Sequence, residues 1–288
     1  MVGRRGTRLN PNAAVTKAPS SAAPRRVRWL LDGTFRRHLD NYHALFGLLQ
    51  ERLAPQNIVI SWETCRPARF REIARQPSGS NELFLLASVP PVYQRLFAAS
   101  GKPTLILGEA APGVSLQYIN ADLVGIVRHA TFRLLREGRS HLEMVHVKSA
   151  AAGIRSAEMA FEAACAGWSR AAVTHRIIET TLDQASLEAT MQRLVGNLKR
   201  RSGIIVLAPV PIGMVVTALL RRSIAVPEQC EPIALMHSEE AVQLCPPPVH
   251  YPWPVAALSR QICAATERYF TTGTLPAVSK TVSIEATG

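Results

Sequence analysis

At 288 residues the chain has room for one large or two medium domains, and its 47% apolar, 19% charged composition excludes an intrinsically disordered polypeptide. The formal charge of +12 suggests a polyanion partner, but residues 1–28 carry Arg4, Arg5, Arg8, Lys17, Arg25, Arg26 and Arg28 with no acidic residue. The remainder holds 26 basic against 21 acidic residues, a net of only +5, so charge alone does not establish nucleic-acid binding.

Residues 1–24, with Pro11, Pro19 and Pro24 among Ala, Ser and Lys, read as a flexible basic tail with no signal-peptide pattern. Beyond it, β-rich runs alternate with amphipathic stretches. Strands are predicted at Val27–Leu31, Asn57–Trp62, Glu82–Val89 and Pro103–Gly108. Helices are predicted over Leu39–Leu53, Ala68–Ala74 and Pro91–Ala99. A further helix begins after Asp122, a plausible N-cap, and carries the apolar stripe Leu123, Ile126/Val127, Ala130, Leu134 up to Gly138.

The alternation continues with strands at Leu142–Val147, Ala172–Ile178, Ile204–Leu207, Ile233–Met236 and Ala277–Ile284. The matching helices are Ser156–Trp168, Leu187–Lys199, Ile212–Arg222 and Val255–Phe270. The uncharged run Ser202–Leu220 is long enough for a membrane span, but Pro209 and Pro211 divide it into strand, turn and helix. The proline-rich stretch Ser238–Pro254 has no clear strand and reads as a crossover. Apolar strands alternating with helices mean parallel sheets covered on both faces. The expected fold class is α/β, with two doubly wound parallel-sheet subdomains; a (β/α)8 barrel is the competing architecture.

The stretch IVRHATFRLLREGRSHLEMV (126–145) after Asp122 resembles the sensor domains of LacI/GalR-type regulators, with Asp122, Ala130, Leu134, Gly138 and Leu142 in register. Ala160-Phe161 with Ala164, the turn Arg221–Glu228 and Pro247-Pro248-Val249 continue the likeness over roughly 25–288. The resemblance implies a type I periplasmic-binding-protein-like fold with three crossovers, a cleft for a small-molecule effector and a homodimer. It places an N-terminal subdomain at 25–137 plus 252–273 and a C-terminal one at 138–249 plus 276–288. This chain departs from the family at Leu123, Arg139, Pro209-Val210 and Met236-His237, and Ala157 stands where an effector-binding arginine is expected. A simple sugar held by a guanidinium clamp is therefore not expected.

GRRGTRLNP (3–11) resembles the end of a GntR-type winged helix. The expectation is that a DNA-binding domain lies upstream of Met1 or was lost, so DNA is contacted only through such a domain. The tail itself should bind DNA weakly and salt-sensitively.

Cleft ligands are sought just past strand ends: Asp32, Ser88, Glu109, Asp122, Lys148 and His237 are the candidates for ligand binding, with Glu63 and Ser149 nearby. Each has a plainer reading as a solvated loop residue, and Asp122 as an N-cap. His141 and His146 read as a surface and a boundary histidine on opposite strand faces, and Cys245 with His250 as loop residues. No phosphate-binding loop and no GxSxG elbow occurs, so neither catalysis nor a cofactor or metal is expected. Five scattered cysteines without CxxC spacing fit a reducing, cytoplasmic setting. The function expected is effector sensing and dimerisation in a transcription regulator. The alternative is a freestanding binding or interaction protein without DNA-binding activity.

Overall fold

The computed structural model describes residues 24–33, 40–198, 201–237 and 239–284. The first sheet begins with β1 (Arg25–Asp32), whose alternation sends Val27, Trp29 and Leu31 to one face and Leu30 to the other. Helix α1 (Asp40–Leu53) leads to β2 (Ile58–Cys65), then α2 (Pro67–Arg75), β3 (Glu82–Ala87), α3 (Pro91–Ala99), β4 (Thr104–Leu107) and β5 (Gln117–Ala121). The second sheet is built from β6 (His141–Val147), β7 (Thr174–Thr180), β8 (Ser202–Leu207), β9 (Cys230–His237) and β10 (Val249–Pro252). Its helices are α4 (Leu123–Arg136), α5 (Ala152–Ala166), α6 (Gln184–Gly196) and α7 (Ile212–Arg221). Finally α8 (Val255–Thr272) and β11 (Lys280–Val282) return to the first sheet.

All described pairings are parallel. The six-stranded sheet has order β2-β1-β3-β4-β5-β11 and the five-stranded one β7-β6-β8-β9-β10. Both follow the same 2-1-3-4-5 winding, a topological repeat that leaves no trace as a sequence repeat. The result is two doubly wound lobes and not a closed barrel. In the first lobe α1 and α8 cover one face and α2 and α3 the other; in the second, α4 and α5 oppose α6 and α7. Fully buried leucines such as Leu45, Leu49, Leu134 and Leu194 anchor these layers, each worth about 1.5–3 kcal/mol of transfer free energy.

The expected subdomain boundaries need correction at two places. Helix α4 was placed in the N-terminal group 25–137, but its apolar stripe packs into the second core with Met144, Phe161 and Leu207. The lobe change therefore falls at Asp122, between β5 and α4. The segment 276–288 was assigned to the second lobe, yet β11 pairs with β5 in the first sheet. The chain changes lobe again at Trp253, between β10 and α8, and past Val282, where Ile284 packs on the second core. Two of the crossings lie side by side, since the Asp122 N–H donates to the Val282 carbonyl at 2.8 Å.

Strands β5 and β10 were not anticipated, and the apolar run 202–220 divides into β8 and α7 as its prolines require. No helix among the described residues is long and apolar enough to cross a membrane. Cys65, Cys165, Cys230 and Cys263 are buried free thiols, and burial pushes Cys165 up to about 12; Cys245, by contrast, is exposed.

Candidate functional site

The carboxyl ends of β3, β4, β5, β6, β8 and β9 converge between the lobes on a cavity of about 180 Å³. Three of these strand ends carry a residue with positive φ: Ser88 (53°) and Gly108 (122°) just past β3 and β4, and Met236 (63°) near the end of β9. Side-chain-bearing residues in this region store strain on the order of 1 kcal/mol or more, and such strain clusters at ligand sites. Gln94 of α3, itself buried, braces two of the loops. Its Nε2 donates to the Val89 carbonyl at 3.1 Å, and its Oε1 accepts from the Ala111 N–H at 2.8 Å.

Tyr42, at the start of α1, and Trp253, on the crossover before α8, form an aromatic wall with ring centroids 5.2 Å apart at 89°. Tyr42 also packs edge-on against the buried core residue Trp29, so the wall is anchored to the first lobe's interior. Its hydroxyl shares a 2.8 Å hydrogen bond with Ser88 Oγ. Glu109, after β4, is the only charged side chain among the described residues lining the cavity, and Ser156 Oγ donates to its Oε1 at 2.8 Å from α5 of the second lobe. A second bond between lobes runs from Asn41 Nδ2 to the Met236 carbonyl at 2.9 Å. The remaining lining is mainly aliphatic, including Ile106, Leu107, Leu123, Ile154 and Leu207. Such a surface accommodates an apolar body, with Asn120 and Ser149 as further polar side chains beside Tyr42, Ser88, Gln94 and Glu109.

Of the six candidate ligands, the structure brings Ser88 and Glu109 to this cavity. Asp122 instead caps α4, its Oδ1 accepting from the Gly125 N–H at 2.9 Å, and it lies outside the lining. Lys148 is exposed and outside the lining, while its neighbours Val147 and Ser149 face inward. His237 is buried outside the cavity: the left-handed backbone and the register shift against β10 turn Met236 to the lining, and the His237 carbonyl accepts from His250 Nε2 at 3.1 Å. Asp32 ends β1 opposite Cys65, away from the lining, and Glu63 is tied to Arg69 and Arg28. Tyr42 and Trp253 were not anticipated; the one available signal was an aromatic residue inside a proline-rich crossover.

His146 is also corrected. It is fully buried, not a boundary residue, because α5 covers its face of the sheet. Ala157, where the arginine was sought, is buried in the second core.

No protein-family model matches the chain, and no curated protein matches its sequence. Solved structures do match its fold. A regulatory protein of the LacI family from Chloroflexus aggregans superposes with a TM-score of 0.77 at 13% identity, covering 91% of this chain and 96% of that one. A periplasmic binding protein/LacI transcriptional regulator from Alkaliphilus metalliredigens, complexed with D-xylulofuranose, gives 0.72 at 13% identity over 91% and 97%. A LacI family transcriptional regulator from Enterococcus faecium with bound ribose gives 0.72 at 12% identity over 91% and 97%. The chain therefore has the type I periplasmic-binding-protein-like fold. It is the fold of LacI-family sensor domains, as the sequence resemblance implied.

Proposed function

We propose that the chain is the effector-binding and dimerising module of a LacI/GalR-like transcription regulator acting in the cytoplasm, with DNA contacted through a separate N-terminal domain. The observation that carries this reading is the cavity between two lobes joined by crossovers. Glu109–Ser156 and Asn41–Met236 hydrogen bonds span it. A ligand among Tyr42, Trp253, Ser88 and Glu109 interacts differently with open and closed lobes, which is the requirement for shifting a two-state hinge. The aliphatic lining and lone carboxylate favour a mainly apolar metabolite bearing an amine or hydroxyl over a polyol. No catalytic role is proposed for Glu109.

Thermal-shift screening against apolar amines, hydroxylated apolar metabolites and sugars tests this. A ligand at a hundred times its Kd adds about 2.7 kcal/mol to folding stability, and the apolar amines and alcohols should be the compounds that do so. The shift should vanish in Glu109→Ala. Stabilisation by sugars alone, or by nothing, would refute the ligand class. Size-exclusion chromatography with light scattering should give about twice the 31.4 kDa chain mass; a monomer at micromolar concentration contradicts dimerisation.

A further inference from the structure

We infer that His146, Glu158 and Glu179 form a second site, outside the cleft cavity, for a divalent transition-metal ion of the zinc class. Strand register supplies two of the ligands. His146 of β6 stands directly opposite Glu179 of β7, so both side chains rise from the same sheet face. Helix α5 covers that face and contributes Glu158, and the three ligand atoms all lie within 4.8 Å of one another.

The orientation of the imidazole singles this cluster out from an ordinary group of charges. His146 is fully buried, and its Nδ1 lies 3.1 Å from the Val147 carbonyl. A carbonyl only accepts, so Nδ1 carries a proton and a neutral ring presents a lone pair at Nε2. Nε2 faces Glu158 Oε1 at 3.1 Å, yet the contact lacks hydrogen-bond alignment and Nε2 is left without a hydrogen-bond partner. A buried ring nitrogen without a hydrogen bond, set beside two carboxylates, is suited to a cation among them. A proton on Nε2 would serve one carboxylate, off-axis; a metal ion serves all three ligands.

The dimensions agree with this occupant. With metal–ligand bonds of about 2.0–2.1 Å, adjacent ligands of a tetrahedral ion stand roughly 3.4 Å apart, close to the separation already present between His146 and Glu158. Glu179 is the exposed member of the three. One imidazole and two carboxylates leave a fourth position for water and favour zinc over magnesium or calcium, which take all-oxygen shells. The outer partners are also in place. The Val147 carbonyl fixes the ring, and Arg155 Nη1 donates to Glu158 Oε2 at 3.0 Å, leaving Oε1 for the metal. Bound metal would fasten α5 to edge strand β7, and α5 carries Ser156 two residues before Glu158.

The test is calorimetric titration of the chelator-stripped full chain with zinc chloride and, separately, magnesium chloride. One equivalent of zinc should bind at micromolar Kd or tighter, with magnesium at least a hundredfold weaker. Glu158→Gln and His146→Gln should each weaken zinc binding at least tenfold. The exposed Glu179→Gln should do the same while leaving the circular dichroism spectrum unchanged, and it decides the matter if the buried variants misfold. Absence of zinc binding, equal affinity for magnesium, or wild-type zinc affinity in Glu179→Gln would overturn the assignment.

Discussion

Ser156 donates to Glu109 across the cleft at 2.8 Å, joining α5 of the second lobe to the loop after β4 of the first. The bond fastens the cavity's lone carboxylate to the opposite lobe, so separating the lobes there would break it. A hydrogen bond to a charged acceptor contributes about 1.5–3 kcal/mol when buried, and partial exposure here brings the expectation to about 1 kcal/mol. Ser156→Ala should therefore shift the apo protein toward the open form, increasing its radius of gyration by X-ray scattering, and weaken effector binding roughly fivefold. Unchanged scattering and affinity would show that this bond does not hold the cleft shut.

The aromatic wall gives a separate expectation. Trp253 lies on the crossover between β10 and α8 and meets Tyr42 edge-on, so its environment changes with both ligand entry and lobe rotation. Ligand addition should alter tryptophan emission, and Trp253→Phe should keep most of the affinity by preserving an edge contact. Trp253→Ala should weaken binding by at least tenfold and cost on the order of 3 kcal/mol of stability. Full affinity in Trp253→Ala would remove the wall from the binding site.

How far the sequence reveals this arrangement depends on what each signal measures. Apolar runs such as Leu83–Leu86 and Ile204–Leu207 specify buried parallel strands because both faces are covered, and the Asp122 cap is local enough to read directly. Strand β5, Gln117-Tyr118-Ile119-Asn120-Ala121, lacks such a run. Strand β10 is an edge strand ending in Pro252, a position where proline costs no ladder bond. At the site, strand ends were legible but side-chain direction was not. A left-handed residue at the end of β9 and the loop past β6 decide that direction, and they put Met236 and Ser149 at the cavity in place of His237 and Lys148. Tyr42 owes its setting to Trp29, Ser88 and the Trp253 crossover, all distant in sequence, and His146 to the helix overhead; local pattern encodes none of these.

Gly203, in central strand β8, lies beneath α4 and has no room for a side chain. A Cβ there would fall 2.7 and 2.8 Å from the methyl carbons of Leu134 and 3.0 Å from Leu142, both fully buried. Gly203→Ala should destabilise by about 1–3 kcal/mol in urea unfolding, and adding Leu134→Val should recover part of the loss. A Gly203→Ala protein as stable as wild type would mean that α4 can lift from the sheet at no cost.

The second lobe should also carry a pH-dependent contribution from Glu231 on β9. Burial, reinforced by the neighbouring Glu137 carboxylate, pushes its carboxyl up from 4.5 to about 7, against the opposing pull of Arg133 and Arg139. The guanidiniums stand off at 3.5 and 3.7 Å, and Arg139 spends its Nη1 and Nη2 donors on the Glu228 and Pro227 carbonyls. Because the folded-state value is raised, the protonated form is favoured in the native protein. The stabilisation is complete below pH 4.5 and is lost as pH rises through about 7. Glu231→Gln mimics the neutral form, so its stability relative to wild type should improve by on the order of 2 kcal/mol between pH 4.5 and 8. Denaturant titrations of both proteins at several pH values provide the measurement. A wild-type-minus-variant difference that stays flat across that window would mean that the two arginines, and not burial, govern this carboxylate.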